Sequence, residues 1–188
     1  QAEDGIRDRS PSRGLGDVYK RQDIDSPIGP LRLVGSGDSL HYLVILKAQQ
    51  PKDNMGELIE DSSSFGSIVE QLNAYFDNET KYLSIPTLFA GTDFQKRVWE
   101  ELQKIPFGET KTYAEVASSI RRPKAVRAVG TAIGANPIPV VIPCHRVIGS
   151  NQSLTGFSGG LENKAFLLRH EGAKIIDGLV LEKRNRAA

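Results

Sequence analysis

The sequence is poor in cysteine, since Cys144 is the only one among its 188 residues. A single thiol excludes an intramolecular disulfide framework and a cysteine-rich zinc site. Apolar runs of about 18 residues, which a transmembrane helix needs, are absent as well. The first 22 residues lack the apolar segment of a secretory signal. These absences predict a protein of a reducing compartment, cytoplasmic or, in a eukaryote, nuclear, with no membrane partner.

Residues 1–22 differ from the rest of the chain because they show neither a helical nor a strand period. We interpret them as a non-native or disordered leader and leave them out of fold reasoning. The stretch SIPTLFAG (residues 84–91) reads as a linker between domains. We therefore predict an N-terminal α/β domain over residues 23–88, a C-terminal domain over residues 89–175 and a polar tail over residues 176–188.

The N-terminal half contains patterns of both strands and helix. Two apolar runs, Leu31–Val34 and Leu40–Leu46, flank the turn-forming stretch GSGDS and predict a β-hairpin. Further on, four apolar residues recur at helical spacing, which predicts a helix with one buried face. They are Phe65, Val69, Leu72 and Phe76.

The C-terminal half contains two capping boxes, in which a threonine precedes Gln95 or Glu115 by three residues. A second helix should follow the Glu115 helix and run from Pro123, a favoured first helical residue, to about Gly134. Two short helices joined by a tight turn indicate a helix-turn-helix. Small residues (Ala125, Ala128 and Gly130) on the second helix would allow close approach to DNA, with helix packing inside the domain as the alternative.

Charge is distributed unevenly along the chain. Residues 23–188 carry equal numbers of basic and acidic residues, yet Lys111 to Arg146 contains six basic residues and one acidic residue, Glu115. One basic segment in an otherwise neutral protein favours contact with a polyanion by one face. A merely solvated face is the alternative.

The single thiol lies at the end of the apolar run IPVVIP, which predicts a short buried strand that ends at Cys144. A buried lone cysteine is often inert packing. A reactive one needs a base, because a thiol with a pKa of about 8.5 is a weak nucleophile when protonated. His145 could act through a bridging water, with Glu171 or Glu162 as the carboxylate that orients it. A hydrolase would take its histidine from elsewhere, and His41 and His170 have no supporting motif.

Linked motifs connect the two halves of the chain. PIGPL and QLNAYF are followed by GTDFQKRVWEELQKIPFGETKTYAEVA, then by RAVGTAIGANPIPVV, IPCHRVIG and TGFSGGLENKAFLLRHEG. In this order, over about residues 26–172, they resemble the O6-alkylguanine-DNA alkyltransferases, also called methylated-DNA–protein-cysteine methyltransferases. The resemblance implies a small ribonuclease-H-like α/β N-terminal domain and a winged-helix-like C-terminal domain with the helix-turn-helix.

The resemblance also implies a reaction and its partner. The partner is double-stranded DNA with an alkylated guanine, bound through the minor groove with the damaged base flipped out, because the thiol cannot reach O6 inside the stack. The resemblance further implies a monomer that needs neither cofactor nor metal. It implies that the alkyl group of O6-methylguanine, and of O4-methylthymine, is transferred irreversibly to Cys144.

Site roles are carried over by the same resemblance. Cys144 attacks the alkyl carbon, His145 takes the thiol proton through water, and Glu171 orients His145. Arg127 fills the gap in the stack, and Tyr113 crowds the phosphate and donates to guanine N3. The groove-facing helix contributes Lys124, Ala125, Val126, Ala128 and Gly130. Asn136 supports the turn before the active site, while Val147 (by its carbonyl), Phe157 and Ser158 line the guanine pocket.

Four positions depart from the family pattern. Phe157 replaces a tyrosine and Phe166 a tryptophan, the latter taken as a core change. Val126 replaces a small alanine and crowds the helix that faces DNA. Arg121 stands where glycine is usual, which predicts strain if that residue has a positive φ.

Two other classes of protein remain open at this point. A non-catalytic lesion sensor would share the fold but lack the thiol, so Cys144 argues against it. A regulatory protein that reads the major groove with its helix-turn-helix would leave PCHRV unexplained.

Overall fold

The N-terminal part is a four-stranded sheet with one helix. The computed structural model describes residues 19–46, 48 and 58–181. The strands are β1 (Lys20–Ile24), β2 (Leu31–Ser36), β3 (Ser39–Ile45) and β4 (Ile59–Glu60). Their order in the sheet is β3-β2-β1-β4. Strand β2 pairs antiparallel with both β1 and β3, whereas β4 pairs parallel with β1. The predicted hairpin is confirmed as β2 and β3.

Both ends of the predicted domain limits need correction. Strand β1 starts at Lys20, so the prediction of a disordered leader is wrong for residues 20–22, and residues 1–18 lie outside the described residues. Ion pairs fix the strand, since Lys20 contacts Asp61 at 2.7 Å and Arg21 contacts Glu60 at 2.8 Å. These pairs supply partners that a search for apolar periodicity does not detect.

The predicted polar tail is also structured up to residue 181. Two short strands of the C-terminal part, β5 (Lys111–Thr112) and β6 (Val147–Ile148), pair in parallel. After them, strands β7 (Lys174–Ile176) and β8 (Leu179–Leu181) form an antiparallel hairpin. Val180 is buried in a small cluster with Ile148 and Leu168, which explains why this segment folds onto the domain. Residues 182–188 of the predicted tail lie outside the described residues.

Five helices pack on the sheets of the described chain. They are α1 (Gly66–Phe76), α2 (Asp93–Leu102), α3 (Tyr113–Ser119), α4 (Val126–Gly134) and α5 (Leu161–His170). Helix α1 confirms a helix with one buried face, but that face is centred on Ile68, Leu72 and Tyr75, and the predicted Val69 and Phe76 are only partly buried beside it. Both predicted capping boxes form. The side chains of Thr92 and Thr112 accept from the backbone amides of Gln95 and Glu115, and the backbone amides of the two threonines donate in return to the side chains of Gln95 and Glu115.

The two helices of the predicted helix-turn-helix are α3 and α4. A Schellman turn ends α3, in which Arg121 N–H donates to Ser118 O and Arg122 N–H donates to Ala117 O, at 2.9 and 2.8 Å. Arg121 has φ 59°, so it occupies the left-handed region without being glycine. Helix α4 begins at Val126, not at Pro123 as predicted. A separate turn precedes it, closed by Ala125 N–H donating to Arg122 O at 2.8 Å.

A single apolar core joins the N-terminal and C-terminal parts. Leu33 of the sheet, Tyr75 of α1 and Trp99 of α2 belong to the same buried cluster. Backbone contacts cross the boundary too, since Leu43 N–H donates to Pro137 O at 3.0 Å. The N-terminal part is therefore packed directly against the segment that leads to Cys144.

Replacing Arg121 tests the strain in the α3–α4 turn. Arg121→Gly should raise the free energy of unfolding by about 0.5–1 kcal/mol, because glycine adopts positive φ without a Cβ clash. Arg122→Gly is the matched control. Arg122 is the next residue in the chain and does not have a positive φ, so glycine there should not stabilise the protein. Urea unfolding followed by circular dichroism measures both. Equal effects at the two positions would contradict the assignment of strain to Arg121.

Candidate active site

Cys144 lies in a tight turn, and the prediction that it ends a strand is wrong. Residues Cys144–Arg146 form one 3-10 turn, with Arg146 N–H donating to Pro143 O at 3.0 Å. Side chains of successive residues in such a turn point about 120° apart. The turn therefore buries all three of its side chains in different directions, and the thiol itself is 2% exposed.

The segment before the thiol is fixed by Asn136. Its Nδ2 donates to Ile142 O at 2.8 Å, and its Oδ1 accepts from Ile138 N at 3.0 Å. The enclosed loop is tight enough to place Val140 at φ 75°, a rare conformation for a β-branched residue. Asn136 thus occupies the position predicted for it, between α4 and Cys144.

The carboxylate of Glu171, just after α5, collects five hydrogen bonds. Oε1 accepts from Tyr75 Oη at 2.7 Å, Arg146 Nη2 at 2.8 Å and His145 Nε2 at 2.9 Å. Oε2 accepts from Arg146 Nε at 2.9 Å and from the Gly108 amide at 3.2 Å. Of the two predicted carboxylates the structure brings Glu171 to His145, whereas Glu162 is exposed on the first turn of α5.

These contacts determine the charge of the pair. Burial alone raises the pKa of the Glu171 carboxyl, but the hydrogen bonds and charges of His145 and Arg146 outweigh burial and lower that pKa below its usual range. Burial lowers the pKa of His145, so the ring is neutral near pH 7. An ionised carboxylate only accepts hydrogen bonds, so Nε2 carries the ring proton and Nδ1 keeps a free lone pair. Nδ1 is buried and has no hydrogen-bond partner among the described residues.

The thiol is protonated in the resting protein. Burial raises the pKa of the Cys144 thiol to about 11, even though a hydrogen bond from Asn136 and the charge of Lys164 act to lower it. A thiol of this kind needs a base to become a nucleophile. The neutral His145 ring, held by Glu171, has the protonation state that such a base requires.

A lysine that we did not predict lies beside this site. Lys164 of α5 is fully buried, and its Nζ donates to the carbonyls of Val147 (2.5 Å), Thr155 (2.6 Å) and Gly156 (3.3 Å). Burial lowers the pKa of Lys164 to about 8. The ammonium therefore fixes the loop that follows the active-site turn and places a positive charge near the thiol.

The residues predicted to bind DNA divide between α3, the turn and α4. Lys124, Val126, Arg127 and Ala128 are exposed, while Ala125 is half-buried at the start of α4. Gly130 faces the ring of Tyr113, where a Cβ would lie 3.8 Å from two ring carbons. Tyr113 Oη donates to Thr155 O at 3.1 Å. The structure therefore brings Tyr113 to the same loop that Lys164 holds.

The basic segment is smaller than its sequence suggests. Lys111 pairs with Glu101 at 2.9 Å, and Arg146 is buried against Glu171. The four remaining basic residues form an exposed group around the turn and α4, without an ion pair to any described residue. They are Arg121, Arg122, Lys124 and Arg127.

The predicted pocket residues lie on the loop after the active-site turn. The ring of Phe157 meets that of His145 edge to face, with centroids 6.5 Å apart. Ser158 is half-buried next to it. The carbonyl of Val147 already accepts from Lys164, so a base would have to share it. Phe166, predicted as core, is 37% exposed and stacks on His170 instead.

The other two histidines lie away from the thiol. His41 packs edge-on against Tyr19 in the N-terminal sheet, and His170 Nε2 donates to Tyr75 O at 2.8 Å. No group of three potential metal ligands occurs within residues 19–46, 48 and 58–181. In the same residues no helix is long and apolar enough to cross a membrane.

The sequence signals that could have revealed the missed residues are partial. Lys164 occupies an inward position of α5, beside Ala165 and four residues before Leu168, where an apolar residue is expected. Tyr75 lies three residues after Leu72 on the buried face of α1. Both could be predicted as buried, but no pattern in the sequence indicates what they contact.

A mixed α/β fold that holds one buried thiol next in sequence to a neutral histidine, itself fixed by a carboxylate, defines a class of proteins that use a cysteine as a nucleophile. The family model for the 6-O-methylguanine DNA methyltransferase, ribonuclease-like domain, matches residues 19–89. The model for the DNA binding domain of the same methyltransferase matches residues 93–173.

Individual relatives agree with these matches. The methylated-DNA–protein-cysteine methyltransferase of Methanosarcina acetivorans is 45% identical over 149 residues, which cover 79% of this chain and 96% of the relative. That of Mycobacterium tuberculosis is 46% identical over 158 residues, covering 84% and 95%.

Solved structures show the same similarity. The crystal structure of the Mycobacterium tuberculosis O6-methylguanine methyltransferase has a TM-score of 0.77 and 45% identity, covering 82% of this chain and 93% of that one. A structure of the Mycobacterium tuberculosis protein in complex with DNA has a TM-score of 0.75 and 46% identity, covering 81% and 91%. The chain belongs to the 6-O-methylguanine DNA methyltransferase family, and the α/β fold with a ribonuclease-like and a DNA-binding domain is confirmed.

Removing Arg146 tests the buried charge pair. Arg146→Met should lower the free energy of unfolding at pH 7 by about 3–5 kcal/mol, because it leaves the Glu171 carboxylate buried without its cation. Because the pKa of Glu171 is lower in the folded protein than in the unfolded chain, ionised Glu171 stabilises the wild type above about pH 4.3. This contribution to the free energy of unfolding is lost as the pH falls further and the carboxylate is protonated. In the variant burial raises that pKa, so the difference should narrow below about pH 5 as Glu171 protonates.

Urea unfolding at pH 7 and pH 4.5 measures this difference. The control is Arg32→Met, since Arg32 also holds a carboxylate by two bonds of 2.7 Å, to Asp23, but at the surface. A surface pair of this kind contributes at most about 1 kcal/mol. Equal losses in the two variants would contradict the importance assigned to burial.

Proposed function

We propose that this protein repairs DNA by direct reversal, transferring the alkyl group of O6-methylguanine in duplex DNA to Sγ of Cys144. The observation that carries the proposal is the arrangement of the thiol, His145 and Glu171. The ring proton is fixed on Nε2 by the carboxylate, so the buried lone pair of Nδ1 is free to accept a proton from the thiol of the preceding residue. Membership of the methyltransferase family supports the same reaction.

The chemical step is a single displacement. The thiol proton passes to His145 Nδ1 through a water molecule, the S–C bond forms, and the C–O6 bond breaks with its electron pair left on guanine. The imidazolium of His145 then gives this proton to a ring nitrogen of the guanine, so the repaired base is neutral. Glu171 stabilises the transient imidazolium without accepting its proton, because its contacts with His145 and Arg146 hold its own pKa low.

Tyr113 and the loop that follows the active-site turn receive the base. Burial raises the pKa of the Tyr113 hydroxyl, so it remains a donor at neutral pH. In the protein without DNA it donates to Thr155 O, and it must turn from that carbonyl to reach guanine N3. We assign contact with the flipped base to Phe157, whose ring meets that of His145, and to Ser158 and the Val147 carbonyl.

DNA binding is assigned to α4 and its preceding turn. The exposed face of α4 presents Arg127 among small residues, which suits the minor groove, and the four exposed basic residues suit the phosphates. Arg127 fills the gap left by the flipped base. Val126 adds bulk to the same face, and 37% of it is exposed.

Each molecule acts once, as a monomer. A thioether is a stable product, and the site offers no second nucleophile to remove the alkyl group, since Cys144 is the only cysteine. The same displacement applies to O4-methylthymine, whose methyl group is also attached to an exocyclic oxygen.

Intact mass spectrometry is the direct test of the proposal. Protein incubated with a duplex that contains one O6-methylguanine should gain one methyl group, mapped to Cys144, with at most one lesion repaired per molecule. Cys144→Ala should bind the same duplex and gain nothing. A wild type that binds the lesion and leaves it intact would refute the proposal and favour a lesion sensor.

The role of Arg127 predicts a difference between substrates. Arg127→Ala should slow transfer from the duplex by about tenfold or more, because base flipping loses the side chain that fills the stack. Transfer from free O6-alkylguanine base should change by less than about twofold, since no base has to be flipped. Arg169→Ala, an exposed arginine of α5, is the control. Equal losses on both substrates would refute the role of Arg127 in flipping.

A further inference from the structure

Tyr75 of α1 belongs to the N-terminal part, yet its hydroxyl reaches the site of the C-terminal part. Its ring is 1% exposed, and Oη donates to Glu171 Oε1 at 2.7 Å across 96 residues of sequence. The same oxygen accepts from His145 Nε2 at 2.9 Å. Tyr75 and His145 therefore share one acceptor atom.

A second contact fixes Tyr75 to the end of α5. Its backbone carbonyl accepts from His170 Nε2 at 2.8 Å, and a carbonyl can only accept, so Nε2 of His170 carries a proton. The two rings also meet at a centroid distance of 5.0 Å, and Phe107 packs on Tyr75 at 6.1 Å. Because His170 and Glu171 are consecutive, Tyr75 is bound to both residues at the point where α5 ends.

A hydrogen bond to a carboxylate withdraws electron density from the oxygen that accepts it. Each donor on Oε1 therefore weakens the other bonds at that atom and lowers the ability of Glu171 to stabilise a charged imidazole. Tyr75 thus acts on the basicity of His145 through Glu171, besides holding the carboxylate in place. Burial raises the pKa of Tyr75 well above its usual value, so the hydroxyl keeps its proton at neutral pH.

We propose that Tyr75 is a positioning residue through which the N-terminal domain orients Glu171 and sets the basicity of His145. The inference rests on the proposed function for its kinetic consequences and on geometry alone for its effect on His145. The charged or titratable groups around the pair are Tyr75 and His170 from α1 and α5, Arg146 and Cys144 from the turn, and Lys164.

Tyr75→Phe removes the hydroxyl and keeps the ring. The rate of methyl transfer in a single turnover at pH 7 should fall about three- to tenfold, the usual effect of one lost hydrogen bond. In addition, the pKa of His145 should rise, because Glu171 then stabilises the imidazolium more strongly. His145 must be neutral to take the thiol proton, so the acidic limb of the pH–rate profile should move to higher pH.

Two further variants separate tuning from packing. A ring-fluorinated tyrosine at position 75 is a stronger donor of nearly the same size, so it should move the acidic limb to lower pH. It also decides the matter if Tyr75→Phe does not fold. Tyr82→Phe is the control, since Tyr82 is 80% exposed in the same domain and should change neither rate nor profile.

An NMR titration of the His145 ring distinguishes this inference from the proposed function. If the wild type transfers no methyl group, the proposed function fails, and the titration still reports whether Tyr75 acts on His145. The inference is overturned if both Tyr75 variants leave the pKa of His145 and the acidic limb where the wild type has them, whatever their rates.

Discussion

The ionised carboxylate of Glu171 is the constraint on which the rest of the structure depends. A buried charge without partners costs several kcal/mol or more, so five donors must be brought to one side chain. They come from α1, the Gly108 turn, the Cys144–Arg146 turn and thus from both domains. Docking of the N-terminal part and the shape of the active-site turn are consequences of meeting that demand.

A second chain of contacts connects the exposed face of α4 with the thiol. Trp99 Nε1 donates to Ala132 O at 2.8 Å, which fixes α4 against α2. Asn136 follows α4 and holds both ends of the loop that leads to Cys144. On the far side, strand β6 (Val147–Ile148) pairs in parallel with β5 (Lys111–Thr112), directly before α3. The position of the α3–α4 helix-turn-helix in the fold is therefore coupled to that of the thiol.

Features with a local cause could be predicted from the sequence. The hairpin, the α1 face and both capping boxes depend on residues within a few positions of one another, and all are confirmed. The 3-10 turn at Cys144 could not be predicted, because an apolar run such as IPVVIP is equally compatible with a strand. The turn is favoured by the two hydrogen bonds of Asn136 to the preceding loop and by the buried ion pair of Arg146 with Glu171.

Non-local partners account for the residues that were missed or misplaced. Nothing near Tyr75 in the sequence indicates a contact 96 residues away. Lys164 contradicts the apolar pattern of its helix and is buried only because three carbonyls of a distant loop accept from it. Phe166 fits the pattern of a core residue, but α5 turns it outward to stack on His170. Pairing across the fold, which periodicity does not encode, decided the cases of Tyr75 and Lys164, whereas Phe166 stacks within its own helix.

The buried charges explain why the thiol of Cys144 is unreactive while it is protonated and yet can become a nucleophile. Arg146 and Lys164 contribute two positive charges and Glu171 one negative charge, so the cluster has an excess of one positive charge while Cys144 is protonated. All three donors of Lys164 are used by carbonyls, so it acts on the sulfur through its field and not through a hydrogen bond. A thiol whose pKa is about 11 attacks few electrophiles. In the proposed reaction the thiol proton passes to His145, so the net charge of the cluster does not change, but the thiolate then lies among the positive charges of Lys164 and the imidazolium, which stabilise it.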